Sequence, residues 1–373
     1  MIYFDNAATT FNKPKSVLHS VNECLKKYCA NSGRSTYKIA IKTAEKIYEA
    51  REIIARLLGI DAAERIVFCQ NATHALNLAI KSSVKCGSHV LISDIEHNAS
   101  FRPIYALEKK GVCEYSVFST EGDIEENISS LIRENTGYIV SNLASNVTGI
   151  EVSLEKLSRA AKRHGLKLIA DASQLIGHKE LNLKNTPCDV LCAPSHKALF
   201  GIQGSGFAAI LDDEVREPLL YGGSGNHSLM PNMPEGLPER FEAGTLPSPS
   251  IISMLYGIKF IEEIGIKNIE ERLGYLEGLL CERLKSFKNV QVYDGANGVI
   301  SFNVYNVACS DVSEELGRLG ICTRSGWHCA PLAHKRIGTE SIGTVRVSLS
   351  YLNTKREIDA FYKKMKILMR HYK

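Results

Sequence analysis

Short apolar runs alternate with longer segments of helical period through the first two-thirds of this chain. Arg65 to Cys69 precedes Ala72 to Val84, His89 to Ser93 precedes Ala99 to Lys110, and Tyr138 to Ser141 precedes Leu154 to His164, with Leu166 to Ala170 next. This repeated strand-then-helix order predicts a mainly parallel sheet covered by helices. After Pro247 and Pro249 the pattern changes. One long helical stretch, Ile251 to Lys285, leads to strands around Val290 to Tyr293 and Val299 to Phe302. A helix around Ser313 to Leu319, a strand at Thr344 to Ser348 and a closing helix from Thr354 to His371 complete the chain. The pattern predicts a larger α/β domain to about residue 247 and a smaller α+β domain after it, with no internal repeat and no low-complexity tract.

Composition narrows the function classes. The 373 residues, 44% hydrophobic and 23% charged, are ordinary for a globular protein and long enough for two domains. A formal charge of +4 without a block of like charges gives no footing for nucleic acid or a membrane surface. The start, Met1-Ile2-Tyr3-Phe4-Asp5-Asn6, lacks the basic and apolar regions of a signal peptide, and no apolar run is long enough to span a bilayer. A cytoplasmic setting is the expectation. The 11 cysteines are scattered, without a CxxC, and most sit in apolar runs such as Val67-Phe68-Cys69 and Val190-Leu191-Cys192. They read as small core hydrophobes in a reducing compartment, not as a disulfide framework or a metal site.

Ligands of open α/β sheets collect at the carboxyl ends of the strands, so the residues after each apolar run carry the chemistry. Gln70-Asn71-Ala72-Thr73-His74 opens a helix, whose free backbone N–H groups make a phosphate cup; Asn71 or Thr73 as a plain N-cap is an equal reading. Asp94-Ile95-Glu96-His97 places a histidine at a strand end, where it either stacks on a flat ring or simply caps. Asp171 follows Leu168-Ile169-Ala170 and suits either a helix cap or a partner for a pyridine nitrogen. Lys197, in Pro194-Ser195-His196-Lys197 after another apolar run, fits a Schiff-base lysine once the other two are in view.

Cys329 differs from the remaining cysteines. It lies in Arg324-Ser325-Gly326-Trp327-His328-Cys329-Ala330-Pro331, a loop context, and a nearby cation such as His328 or Arg324 favours the reactive thiolate.

These residues coincide with a known family. From Tyr3-Phe4-Asp5-Asn6-Ala7-Ala8-Thr9-Thr10 to Arg346-Val347-Ser348-Leu349-Ser350-Tyr351-Leu352-Asn353-Thr354 the chain resembles the class V aminotransferases of pyridoxal phosphate (PLP) fold type I. Within them it resembles the cysteine desulfurase and selenocysteine lyase branch, short-loop group. The resemblance implies a large domain with a mainly parallel sheet at 16–247, a smaller C-terminal α+β domain at 248–373 carrying the cysteine loop, and an N-terminal segment, 1–15, packed on the small domain. It implies that Lys197 holds PLP and moves protons at the substrate Cα, Asp171 pairs with the pyridine nitrogen, His97 stacks on the ring and Gln174 bonds the phenolic oxygen. Ala72, Thr73 and His196 would bind the phosphate, with Thr245 reaching across from a second copy in a homodimer with shared active sites. Asn146 and Arg346 would hold the substrate carboxylate, with Arg324 and His328 beside the substrate. Cys329 would take the sulfur of L-cysteine as a persulfide destined for an acceptor protein and release alanine, with L-selenocysteine as the alternative substrate.

Two positions depart from the family pattern. Pro194 stands where relatives usually carry Ser or Thr, so that one phosphate donor is either missing or supplied by Ser195. Trp327 replaces the first of two histidines common before the nucleophile. The other readings are a different PLP enzyme of the family, an aminotransferase or Cβ lyase, and a catalytically idle partner in sulfur trafficking. Cys329 in its loop speaks against the former, and intact Lys197, Asp171, His97 and Arg346 against the latter. The residues do not distinguish iron–sulfur assembly from other uses of the sulfur.

Overall fold

The computed structural model describes residues 1–33, 36–225, 229–293 and 295–372. Its centre is a seven-stranded sheet in the order Ile66–Cys69, Gly206–Ile210, Val190–Pro194, Lys167–Asp171, Thr136–Asn142, Ser88–Ser93, Cys113–Phe118. Every pairing is parallel except those of Gly206–Ile210, which runs against both its neighbours. Helices cover both faces, so the strands read as continuous apolar runs instead of alternating ones. Leu91, Ile139, Leu168 and Leu191 enter the core on one face, and Val90, Ile92, Val140, Ile169 and Cys192 the core on the other. Truncating one such fully buried side chain, Leu168→Ala, costs about 2–5 kcal/mol.

The helix Leu154–His164 has the bounds its sequence predicts because both ends are punctuated. Ser153 accepts the Lys156 N–H at 3.3 Å, and Gly165 closes the helix at φ 65°. The single long helix expected over Ile251 to Lys285 is instead two, Ser248–Ile264 and Ile266–Lys285. Gly265, at φ 85°, breaks the run. The first half belongs with the large sheet, since Ile251, Met254, Leu255, Ile258 and Ile261 lie in its core. The second half, from Leu273, lies in a separate core with Ile300, Phe302, Val345 and Val347.

That separate core is built on a four-stranded antiparallel sheet, Arg324–Gly326, Thr344–Ser348, Val299–Val304, Val290–Val292. The chain's first residues join it. Ile2–Tyr3 pairs in parallel with Ile321–Cys322, and Phe4 sets its ring on Phe361 edge-on at 5.8 Å. The helices Lys15–Lys27, Lys38–Leu58 and Ile124–Ser129 and the strand Cys113–Phe118 have no counterpart in the sequence reading. Among the described residues no helix is long and apolar enough to cross a membrane, and no cluster of His, Cys, Asp or Glu could hold a metal ion.

Candidate active site

The carboxyl ends of the parallel strands open onto a cavity of about 210 Å3. Asn71, Ala72 and Thr73 reach it from the start of the helix Ala72–Ser83, His97 from the turn after Ser93, and Asn142 and Asn146 from beyond the strand Thr136–Asn142. Asp171 and Gln174 follow the next strand, and His196 and Lys197 the one after it. Arg324 and Arg346 close the cavity from the antiparallel sheet, and Ala7 and Ala8 from the N-terminal segment.

At the helix start Asn71 is the cap, its side chain accepting the His74 N–H at 2.9 Å. The Ala72 and Thr73 N–H groups are left without an intrahelical acceptor and sit at the positive end of the helix dipole. A glycine at 206 makes this approach possible. A Cβ there would stand 2.8 Å from the Asn71 carbonyl carbon and 3.1 Å from the Ala72 nitrogen. His196 adds an unpartnered buried Nδ1 to the same wall. Burial, then the charges of Lys197 and Lys13, push its ring down to about 4, so it enters uncharged.

His97 caps the helix Asn98–Lys109 by accepting the Ala99 N–H on Nδ1 at 3.0 Å. Burial and the nearby Lys197, Arg324 and Arg346 push it down to about 3, so it presents a neutral ring with its proton on Nε2. Asp171 takes the Ser173 N–H at 2.8 Å. Its carboxyl is buried, which raises its pKa against the opposing pull of Ser173 and Lys197. Burial, with Arg346 and Arg324 adding to it and Asp171 opposing, lowers Lys197 from 10.5 to about 8. A buried carboxylate short of positive partners and a lysine held near neutrality suit a protonated heterocyclic nitrogen and a carbonyl-bearing group. Gln174 spends one N–H on the Ala7 carbonyl at 3.1 Å and keeps another.

Arg346 is buried to 1% exposure. Its Nη2 donates to Asp5 Oδ1 at 2.7 Å and its Nη1 to the Asn146 carbonyl at 2.9 Å, while Nε has no partner. Each Nη thus spends only one of its two N–H groups, and a guanidinium with donors to spare that lines a cavity is a seat for a carboxylate.

Cys329 is exposed at the mouth, with Arg324 Nη2 3.6 Å from its Sγ. Both His328 and Cys329 are left-handed, φ 48° and 59°, a conformation that costs non-glycine residues about 1–3 kcal/mol each. His328 does not provide the cation expected from its place beside Cys329. Its ring is buried, Nε2 lies 3.0 Å from Thr344 Oγ1, and burial followed by Arg346, His334 and Arg324 pushes it down to about 2. The ring points away from the cavity and is neutral, so Arg324 is the cation at the thiol. Trp327 is 53% exposed, its indole N–H bonded to the Glu340 carbonyl at 2.7 Å.

Two further expected residues lie elsewhere. Ser195 is buried outside the cavity, its hydroxyl donating to the Ile202 carbonyl at 2.6 Å, so it secures the turn before Lys197 instead of replacing the donor lost at Pro194. Thr245 lines a separate groove with Asn31, Arg51 and Glu242.

Asp5 and Glu96 escaped the sequence reading. Asp5 appears as one polar residue of an opening turn, and its contact with Arg346 spans 341 residues. Glu96 is fully buried, accepting from Ser93 Oγ at 2.5 Å, from the Asn142 N–H at 2.7 Å and from Ser100 Oγ. Burial pushes it up to about 7. The only signal for it is its place beside His97.

A sequence profile of the family described as Aminotransferase class-V matches residues 2–361. A protein of Methanothermobacter thermautotrophicus named probable cysteine desulfurase is 32% identical over 369 residues, covering 96% of this chain and 92% of the relative. A probable cysteine desulfurase of Pyrococcus abyssi is 32% identical over 377 residues, covering 97% and 92%. The apo structure of a cysteine desulfurase from Thermococcus onnurineus NA1 superposes with a TM-score of 0.90 at 30% identity, covering 99% of this chain and 95% of that one. An Escherichia coli cysteine desulfurase at 22% identity shares the fold, with a TM-score of 0.89. Matched by the profile along nearly its whole length and by these relatives end to end, the chain belongs to the class V aminotransferase family.

Proposed function

We propose that this protein is a PLP-dependent cysteine desulfurase, converting L-cysteine to L-alanine with a persulfide left on Cys329. The observation that carries the reading is the convergence on one cavity of a half-buried lysine near neutrality, a buried carboxylate and an arginine with donors to spare, with an arginine-paired thiol at the mouth. The residues fit the cofactor. Ala72, Thr73 and His196 would hold its phosphate, Asp171 its pyridine nitrogen, Gln174 its phenolic oxygen and Lys197 its carbonyl carbon, with His97 over the ring. Bound there, PLP supplies an electron sink for bonds at the substrate Cα.

The chain's own groups do the rest. Arg346 and Asn146 grip the substrate carboxylate, and Lys197 Nζ moves protons at Cα. Arg324 Nη2, 3.6 Å from the Cys329 sulfur, holds the nucleophile at the mouth. The Cys329 sulfur lone pair forms the S–S bond to the substrate sulfur as the Cβ–S bond breaks, and the carbon keeps that electron pair and takes up a proton to become the methyl of alanine. An acceptor thiol then removes the persulfide sulfur from the exposed Cys329. Thr245, remote from its own chain's cavity, supports a homodimer in which it completes the phosphate site of the other copy. For the domains, the cores support an N-terminal segment packed on the C-terminal domain and a border near Gly265, later than 247, because the helix Ser248–Ile264 packs with the large sheet. Reducing cytoplasm suits the thiol chemistry.

Alanine and sulfide release, measured with L-cysteine and L-selenocysteine with and without reductant, tests the reading. Alanine from cysteine that needs a reductant for multiple turnovers is the expected result. Transamination products without sulfide would replace the desulfurase with an aminotransferase.

A further inference from the structure

We propose that Asn146 is a positioning residue for the nucleophile, its side chain holding the Cys329 loop from the same place where it meets the substrate carboxylate. The left-handed pair His328–Cys329 requires outside support. Two contacts supply it at the carbonyls. Asn146 Nδ2 donates to the His328 carbonyl at 2.6 Å, and the Asn98 N–H to the Cys329 carbonyl at 2.7 Å.

Asn146 is itself fixed. Its backbone carbonyl takes Arg346 Nη1 at 2.9 Å, and the next carbonyl, of Val147, takes Ser301 Oγ at 2.6 Å. The loop then turns at Gly149, φ 71°, where a Cβ would lie 1.7 Å from the Ala296 oxygen. The Asn297 side chain bonds the Gly149 carbonyl at 2.9 Å. The loop bearing Asn146 is thereby fastened to the antiparallel sheet that carries Arg324 and Arg346.

A primary amide has two N–H donors. One of Asn146 holds the His328 carbonyl, and the other is left for a ligand in the cavity that Asn146 lines. Its Oδ1 is buried without a partner. A carboxylate seated on Arg346 would accept that second N–H, so a single planar group would join the bound substrate to the backbone that presents Cys329. The proposal takes the carboxylate's place beside Arg346 from the function proposed above; the hold on the loop does not depend on it.

The test compares holoenzyme with Asn146→Ala and, in case that variant folds poorly, Asn146→Ser. Hydrogen exchange read by mass spectrometry over the peptide containing residues 327–330 is expected to quicken about tenfold in either variant, with the strand Thr136–Asn142 unchanged. Added L-alanine should slow that exchange in the parent and not in the variants. With L-cysteine, kcat should fall about tenfold or more, on top of the rise in KM that the lost carboxylate contact brings, because the nucleophile is misplaced as well. Unchanged loop exchange with a rise confined to KM would reduce Asn146 to a carboxylate ligand and overturn the proposal, as would faster exchange throughout the sheet. A parent enzyme that releases no alanine from cysteine, yet shows the loop effect, would sink the desulfurase reading and leave the hold of Asn146 on the loop standing.

Discussion

The floor of the cavity and the loop at its mouth are built on opposite principles. On the floor, Asp171 is buried and His97 and Lys197 half-buried where regular strands end, and desolvation pushes all three toward their uncharged forms. At the mouth, Cys329 is exposed on a left-handed backbone held by Asn146, Asn98 and Thr344, residues far from it in sequence. The floor thus derives its chemistry from desolvation, and the mouth from placement. A change on the floor should abolish cofactor chemistry, whereas a change at the mouth should spare binding and stop sulfur transfer.

The largest expected effect is on the floor. Lys197→Ala should lower alanine release by roughly three orders of magnitude or more and remove the lysine-bound cofactor seen after borohydride reduction. Reduced cofactor found by peptide mass spectrometry on any other lysine would break the comparison at its base.

Between floor and mouth lies Arg346. Arg346→Ala should raise KM for L-cysteine about 10- to 100-fold with a smaller loss in kcat, since its partner is a carboxylate throughout the reaction. Asp5→Asn, which leaves the guanidinium in place but removes the carboxylate at 2.7 Å that orients it, should raise KM less. Equal effects from the two variants would assign the carboxylate grip to the pair.

Glu96, buried next to His97, and Lys197 on the floor should tilt the stability of the cofactor-free protein with pH in opposite senses. Glu96 has its pKa raised from 4.5 to about 7. The folded state keeps a proton that the unfolded chain releases, so stability falls as pH rises through that window. Glu96→Gln should flatten that slope, measured by urea unfolding between those values. Lys197, lowered from 10.5 to about 8, works the other way above that range. Its folded form has given up a proton that the unfolded chain retains, so stability rises from about 8 to 10.5 and Lys197→Met should abolish the rise.

The smallest effect is optical. Trp327 is the only tryptophan and lies two residues from Cys329. Removing PLP should raise its emission, and adding cysteine to Cys329→Ser should change it again. Emission indifferent to both treatments would put the loop out of the cofactor's reach.

The same contrast governs how much was legible in the sequence. Asp171, His97 and Lys197 stand out because an apolar run buried on both faces announces a strand, and a polar residue at its end announces the site. The strand Gly206–Ile210 has no counterpart in the sequence reading, because a five-residue apolar run that opens on glycine, with no helical segment after it, lacks the strand-then-helix pattern of the others. At the mouth the sequence offers Arg324 and His328 alike as the cation beside Cys329, and the structure sets only Arg324 there. Adjacency in a loop says nothing about which side chain turns inward, and the left-handed backbone sends this ring into Thr344. Gly265 was readable as a helix breaker, yet the helical period on both sides ran straight through it. Asp5 was beyond reach, because nothing local ties an N-terminal turn to an arginine 341 residues away.

The central claim is that sulfur passes to Cys329. Peptide mass spectrometry of the holoenzyme after one turnover with isotopically labelled L-cysteine, without reductant, reads it directly. The account predicts a gain of one labelled sulfur atom on the peptide containing Cys329, matched mole for mole by alanine, and in Cys329→Ser retained PLP with neither product. Labelled sulfur on another cysteine, or alanine release undiminished in Cys329→Ser, would contradict it.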